Sequence, residues 1–134
     1  MEENVLESIK LKAEQGDAES QTFLGIMHNN GQEVTQDYKE AVKWYRLAAE
    51  QGYAFAQYNL GFMYRYGDGV TRDMVYAHMW WNIAASNGWK DAKESRDRVA
   101  KEITPADISE ATRLAREFEE NERGARYAEL NNKS

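Results

Sequence analysis

Cysteine is absent from this 134-residue sequence, and proline occurs only once. Without cysteine there can be no disulfide, thiolate nucleophile or thiolate metal site, and a single proline suits a mostly helical chain. Histidine occurs only at positions 28 and 78, and neither position has metal-binding spacing around it, so no metal and no other cofactor is expected. No apolar run approaches the roughly 20 residues that a membrane span needs.

Basic residues are fewer than acidic ones: the sequence has 17 Lys and Arg and 23 Asp and Glu, which gives a net charge of −6. This balance argues against a nucleic-acid binder, whose affinity depends on a basic surface. No charged segment followed by an apolar one opens the sequence, so no signal peptide is expected. The compartment stays open: cytoplasmic for the sequence as given, and periplasmic or secreted if a leader has been removed.

The sequence does contain a repeat of 36 residues. Glycines 16, 52 and 88 have this spacing, and so do Trp44 and Trp80. Aligning residues 15–50 with 51–86 without a gap gives 15 identities, where average composition predicts about two. Internal similarity of this strength is typical of repeat proteins.

Each repeat is predicted to consist of two helices joined by a short loop. The first helices, 18–30 and 54–66, end at Gly31 and Gly67, where a left-handed residue is favoured, so positive φ is expected at both glycines. Gly67→Val should therefore be worse than Gly69→Ser. The second helices, 37–51 and 73–87, begin at an aspartate that suits a helix N-terminus.

Incomplete units are predicted on both sides of the two repeats. Residues 5–15 resemble the second helix of a preceding unit, and residues 89–103 start a third unit whose Arg96 is expected to pair with an acid of the second repeat. Thr104-Pro105 then begins a helix with one charged side, as a terminal cap requires. The predicted domain spans 1–120, with repeats at about 16–51 and 52–87 and a capping unit at 88–120; a polar tail, 121–134, follows.

Some repeated residues are assigned a structural role. Gly25 and Gly61 lie inside the first helices, where Gly costs about 1 kcal/mol relative to Ala, so another helix backbone is expected to approach them closely. Trp44 and Trp80 are expected to be buried between helix pairs. The structural set is Gly25, Gly61, Gly31, Gly67, Trp44 and Trp80.

The second repeat resembles a known family. The string AFAQYNLGFMY at residues 54–64, followed by Gly67-Asp68-Gly69-Val70, Asp73, Ala77 and Trp80, is similar to the Sel-one-like repeat (SLR) of the tetratricopeptide superfamily. The resemblance covers about residues 13–120, and the segment from Gly88 to Pro105 resembles the closing segment of bacterial members. It implies an all-α αα-solenoid, a right-handed superhelix of helix-turn-helix repeats, that serves as a protein-interaction adaptor and not as an enzyme. The first repeat departs from the motif at Glu33, where the second has Gly69.

The nearly uncharged stretch 51–90 carries an aromatic cluster that the repeat does not explain. At 100° per residue, one arc of the helix at 54–66 holds residues that are identical in the first repeat. The opposite arc differs between the repeats, and we name it the aromatic face; its members are Phe55, Tyr58, Asn59, Phe62, Arg65 and Tyr66. The first helices of helical solenoids line the concave side, where aromatic residues and Arg are typical of binding hot spots. The aromatic face is therefore the predicted partner-binding site.

Several interpretations of this face stay open. The leading one is a protein or peptide partner, bound by an adaptor, regulator or inhibitor without chemistry of its own. A second copy of the chain could cover the face in a homodimer, or the C-terminal tail could cover it. An enzyme acting on carbohydrate or peptide there would need paired carboxylates, but the nearest acids, Asp68, Asp91 and Glu94, show no such pairing by spacing. No catalytic residue is predicted.

Overall fold

The computed structural model describes residues 3–132, with the side chains of residues 5–126 and 128–132. Within this part of the chain there are seven α-helices and no strand, which confirms the all-α fold. None of these helices is both long and apolar enough to cross a membrane. The helices are α1 (Glu3–Glu14), α2 (Ala18–Asn30), α3 (Tyr38–Glu50), α4 (Ala54–Tyr66), α5 (Met74–Ser86), α6 (Lys90–Ala100) and α7 (Pro105–Asn132).

The helices pack mostly in chain order. α2 packs on α3 and α4 packs on α5, which gives the two predicted helix pairs. α1 packs on α2, α3 on α4 and α5 on α6, so each unit contacts its neighbours along the chain. This arrangement is the predicted solenoid, in which stability comes from contacts within and between adjacent repeats.

The helices start and stop at the predicted signals. Asp37 Oδ1 accepts from the backbone amides of Lys39 and Glu40 at 3.0 and 3.2 Å, and Asp73 caps α5 in the same way. Gly31 and Gly67 end α2 and α4 with φ of 68° and 70°. Positive φ at both glycines is thus confirmed, and these caps satisfy backbone groups that a helix end leaves unpaired.

The loops after α2 and α4 have the same conformation although one lacks the second glycine. Glu33 has a φ of 64°, close to the 74° of Gly69. In each loop the capping aspartate donates its amide back to the first helix, Asp37 N to His28 O at 2.8 Å and Asp73 N to Tyr64 O at 2.9 Å. Because a residue with a side chain is strained at such φ values, the first repeat keeps this loop at some energetic cost.

The glycines inside the first helices make room for aromatic rings. The expected close helix backbone is found at Gly25, where Ala41 O of α3 would lie 3.3 Å from a Cβ atom, whereas the nearest atoms at Gly61 all belong to a ring. A Cβ atom at Gly61 would lie 2.6 Å from Trp81 Cδ1, and one at Gly25 would lie 2.6 Å from Tyr45 Cδ1. Tyr45 and Trp81 occupy the same position of the two repeats. Each ring therefore fills the space that a side chain at its glycine would need, and this contact joins the two helices of a pair.

The two repeated tryptophans differ in burial, so the expectation that both are buried is wrong for Trp44. Trp80 is 7% exposed in the main core, and Phe118 of α7 packs edge-on against it with ring centroids 5.1 Å apart. Trp44 is only partly buried and lies against the smaller cluster that contains Leu24 and Met27. α7 thus covers the second repeat in a way that has no counterpart at Trp44.

Buried side-chain amides join successive units. Gln21 Nε2 donates to Ala13 O at 3.0 Å, and the equivalent Gln57 Nε2 donates to Ala49 O at the same distance. The oxygen of each glutamine accepts from another amide, that of Gln51 at 2.8 Å and that of Asn87 at 3.0 Å. We call this set the amide ladder; its members are Gln21, Gln51, Gln57 and Asn87.

Replacing Gln57 by Leu should lower the free energy of unfolding by about 1–3 kcal/mol, because the variant loses both hydrogen bonds of the buried amide, the one donated to Ala49 O and the one accepted from Asn87 Nδ2. Gln57 is 0% exposed, so water cannot take over the bond without local opening. Gln51→Leu is the matched control, since Gln51 is exposed and its loss should cost clearly less. Urea unfolding followed by circular dichroism measures both, and equal losses would contradict a specific role for the buried amide.

The third unit closes differently from the two repeats. Lys90, Lys93 and Asp97 of α6 stand at the positions where α4 has its Ala, Gln and Gly packing residues, and all three are exposed. Arg96 does reach the second repeat, but its partner there is Asn82 Oδ1 at 2.9 Å. The acid that it contacts is Asp97 of its own helix, at 3.0 Å. The prediction that Arg96 pairs with an acid of the second repeat is therefore wrong.

α7 packs mainly on α5. Two of its apolar residues, Ala111 and Ala115, are buried in the main core, with Leu114 packed beside them. The helix runs without a break across position 120 to Asn132. The division into a domain at 1–120 and a tail at 121–134 stays a prediction, and residues 133–134 lie outside the described part of the chain.

Candidate functional site

The rings of the aromatic face form one continuous row along α4. Tyr58 meets Phe62 edge-on with centroids 4.9 Å apart, and Phe62 lies nearly parallel to Tyr66 at 6.3 Å. At the other end of the row, Trp89 stacks on Phe55 at 4.7 Å and tilts against Tyr58 at 5.6 Å. Spacings of three and four residues place these side chains on one side of the helix, as the sequence predicts.

This row is partly covered by the chain itself. Phe55, Tyr58 and Phe62 are partly buried, whereas Tyr66 is 63% exposed. Phe62 packs edge-on against Trp81 at 5.0 Å, and Tyr58 and Phe62 both contact the core cluster to which Trp81 belongs. These two rings therefore serve the packing of α4 against its neighbours as well as any surface role, and Tyr66 is the ring most available to a partner.

Sequence reasoning missed Trp81 and Trp89 as members of this site. Trp81 lies on α5, and Trp89 is the residue before α6. One signal was present, since Trp89 directly follows Gly88 and stands where the second repeat has Tyr53 and the first has Asp17. A change from a capping acid to an aromatic residue at this position favours contact with the rings of the preceding first helix.

Arg65 is already paired within the chain. Its guanidinium contacts both oxygens of Glu102, at 3.0 and 2.8 Å, and lies over the Tyr66 ring at 5.5 Å from the centroid. A second pair, Arg98 with Glu94 at 2.6 Å, is far more exposed, with about three quarters of each side chain in contact with solvent. Exposed pairs of this kind contribute little, so Arg98 is the guanidinium that a partner's carboxylate could recruit at low cost.

A small cavity of about 70 Å³ lies between α4 and α6. Its apolar walls come from the aromatic row, from α5 and from α6, and its mouth carries the two arginines with a serine and a glutamate. The lining residues are Phe62, Arg65, Tyr66, Trp81, Ser95, Arg98, Val99 and Glu102. Such a cavity accommodates part of one side chain, not a small-molecule substrate, whose pockets are several times larger.

Two buried hydrogen-bond donors at this face have no partner in the described part of the chain. They are Asn59 Nδ2, in the middle of α4, and Trp89 Nε1, at the end of the aromatic row. The other indole at the site differs, because Trp81 Nε1 donates to Tyr58 O at 3.0 Å. An unpaired buried donor is costly, and the chain itself shields both atoms from solvent.

Two of the acids near the face are engaged with arginines. Glu94 is paired with Arg98, and Glu102 is paired with Arg65. Among residues 3–132, no group of three or more His, Asp and Glu is arranged to hold a metal ion. The geometry therefore offers apolar contact, stacking and hydrogen bonding, which are the elements of recognition.

Comparisons with known proteins give the same architecture. A family model described as Sel1 repeat matches residues 18–53 and 54–89. Among solved structures, a protective antigen present in uropathogenic Escherichia coli strains, displaying an SLR fold, is similar with a TM-score of 0.85 and 32% identity, over 95% of this chain and 27% of that one. A Sel1 repeat protein from Oxalobacter formigenes is similar with a TM-score of 0.66 and 37% identity, over 67% of this chain and 68% of that one. The chain thus spans about a quarter of the length of the first structure. No curated protein matches it.

Proposed function

Because this chain belongs to the Sel1 repeat family, whose members are generally protein-interaction modules, we propose that it binds a protein or peptide on the aromatic face without chemistry of its own. The observation that carries the proposal is the continuous aromatic row on α4, which ends at the exposed Tyr66. The equivalent positions of the first repeat hold one aromatic residue, Phe23, and those of the third unit hold none. Solenoid packing therefore does not require the row.

The contacts of the face indicate how a partner would bind. An apolar side chain of the partner packs on Tyr66 and Phe62 and reaches toward the small cavity beside them. Covering about 100 Å² of ring surface contributes about 2–3 kcal/mol at ~25 cal/mol per Å², before the costs of association. An acidic group of the partner pairs with Arg98 in place of Glu94. Adaptor, regulator and inhibitor roles all use such a surface.

The proposal predicts that Tyr66→Glu abolishes capture of the partner while the fold is retained, because this ring is 63% exposed. Tyr76→Glu is the matched control, since Tyr76 is 40% exposed on α5 and lies outside the aromatic face. Both variants and the original chain are immobilised and exposed to a lysate of the source organism. A protein captured by the original and by Tyr76→Glu, but not by Tyr66→Glu, is the expected result; equal capture by all three would overturn the proposal.

Glutamate at Tyr58 or Phe62 is a less selective test, because both rings also pack on the core cluster that contains Trp81. If such a variant unfolds, the substituted ring is needed for packing. The role of Tyr66 in binding is then measured with the Tyr66→Glu variant alone. Sedimentation velocity distinguishes a second copy of the chain as the partner. Concentration-dependent association that Tyr66→Glu removes would assign the face to a homodimer.

A further inference from the structure

His78 is the more deeply buried of the two histidines, and the proposed function does not use it. The residue is 5% exposed, and its Nδ1 atom has no hydrogen-bond partner in the described part of the chain. α5 contains no Asp, Glu, Lys or Arg, and the same position of the first repeat is Val42. The packing of the helix pair therefore does not require an imidazole at this position.

The charged groups around this ring come from α6. The two charged groups that shift the pKa of His78, Arg96 and Asp97, both belong to α6 and not to α4 or α7, which also pack on α5. Arg96 donates to Asn82, one helical turn after His78 on the same helix. The ring thus lies at the place where α6 is tied to α5 by a cation.

Protonation of the ring is opposed by this environment. Burial lowers the pKa of His78 below its ordinary value, Arg96 lowers it further, and Asp97 partly offsets both. At neutral pH the ring is therefore uncharged while α6 is docked. A proton would place a second cation beside Arg96 in a buried site, with no acceptor at Nδ1.

α6 also forms the far wall of the aromatic face. Trp89, the residue before α6, covers Phe55 and Tyr58, and Arg98 and Val99 line the cavity next to Tyr66. If α6 moves away from α5, these three residues no longer contact the aromatic rings of α4. The docking of α6 and the accessibility of the aromatic face are therefore linked.

We propose that His78 is a pH-sensitive contact that controls the aromatic face: protonation of its ring weakens the docking of α6 on α5 and so uncovers the rings of α4. The second step rests on the proposed function of that face, whereas the first does not. Such a contact exposes the rings beneath Trp89 in a mildly acidic environment and at the same time withdraws the part of the site that α6 contributes, Arg98 and the wall of the small cavity.

The direction of the effect follows from the two states of the ring. With α6 undocked, His78 is in water and titrates near 6.5, the ordinary value; with α6 docked, its pKa is lower. Above about 6.5 both states are uncharged and docking does not depend on pH. As the pH falls below that value the undocked state takes up the proton first, so docking weakens, by at most about tenfold per pH unit for one proton.

Hydrogen exchange measured by NMR from about pH 7.5 to about pH 5 tests the contact in a range where Asp and Glu stay largely ionised. After correction for intrinsic exchange, the protection of α6 amides should fall several-fold below about pH 6.5, while α2 amides keep theirs. Overhauser contacts between the rings of Phe55 and Trp89, whose centroids are 4.7 Å apart, should weaken over the same range.

Matched variants separate His78 from every other titrating group. His78→Val, which copies the first repeat, should make α6 protection independent of pH, and His28→Gln should behave like the original chain. If His78→Val does not fold, His78→Gln replaces it with the same expectation. Three results would overturn the proposed contact. The protection of α6 amides could be independent of pH in the original chain, it could fall equally in the His78 variant, or it could fall equally in α2 and α6.

The outcome is independent of the binding experiment at neutral pH. If the Tyr66→Glu variant still captures the partner, the proposed function is excluded. The hydrogen-exchange result for α6 is unaffected by that outcome. If the hydrogen exchange of the α6 amides does not depend on pH, the proposed pH-sensitive contact at His78 is excluded, whatever the effect of Tyr66→Glu on capture. Loss of α6 protection with intact contacts between Phe55 and Trp89 would overturn the second step alone.

Discussion

Replacing Trp80 by Ala should lower the free energy of unfolding by about 3–5 kcal/mol, the range for a large buried aromatic residue. The indole is 7% exposed and meets Phe118 of α7 at 5.1 Å. Removing it leaves a cavity between the second helix pair and α7 and removes the ring contact that Phe118 of the capping helix makes there. Urea unfolding followed by far-ultraviolet circular dichroism measures the loss.

Trp44→Ala is the control that the repeat itself provides, because the same residue stands at the same position of the first repeat. Trp44 is only partly buried, so its loss should be clearly smaller than that of Trp80. Equal losses at the two positions would show that coverage by α7 contributes nothing. A Trp80→Ala protein with unchanged unfolding would contradict the described packing of α7.

Gly69→Ser should lower the free energy of unfolding by about 2–6 kcal/mol, which is about 1–3 kcal/mol more than Gly67→Ser. Both glycines have positive φ, 74° and 70°, so both substitutions carry the ~1–3 kcal/mol of backbone strain that this region imposes. Only at Gly69 does a Cβ atom also meet fixed backbone, since it would lie 2.6 Å from the carbonyl carbon of Tyr38. That overlap adds a further ~1–3 kcal/mol.

At Gly67 the nearest obstacle is the Cβ of Arg72 at 3.1 Å, which a small shift relieves. For the same substitution, position 69 is therefore the more sensitive of the two; the sequence expectation compared Gly67→Val with Gly69→Ser and does not give this order. Thermal unfolding of the two serine variants decides between the two orders. A larger loss at Gly67 would show that the loop after α4 moves away from Tyr38 without cost.

The 36-residue period predicted the local structure well, because helix starts, stops and internal packing positions recur in each unit. Asp37, Asp73, Gly31 and Gly67 act at the ends where the sequence placed them. Such signals depend on neighbours a few residues away, and one sequence contains them all. The same is true of the arc of α4 that packs, where Leu60 is 0% exposed.

The contacts between units could not be predicted in the same way. The clash at Gly69 involves the preceding repeat, the cover over Phe55 comes from the following unit, and the burial of Trp80 depends on α7. These contacts are set by how far each unit rotates relative to the last, and a repeat period carries no information on that rotation. The composition of the aromatic face was visible in the sequence, whereas its partial coverage was not.

The charges on α6 have a consequence for how copies of this protein meet in solution. A helical repeat presents at its end the same kind of surface that its own interior seams use, so two molecules can stack end to end and grow into a filament. Here an approaching copy meets Lys90, Lys93 and Asp97 in place of the small and amide residues of a seam. Desolvating those charges opposes end-on stacking on the exposed side of α6.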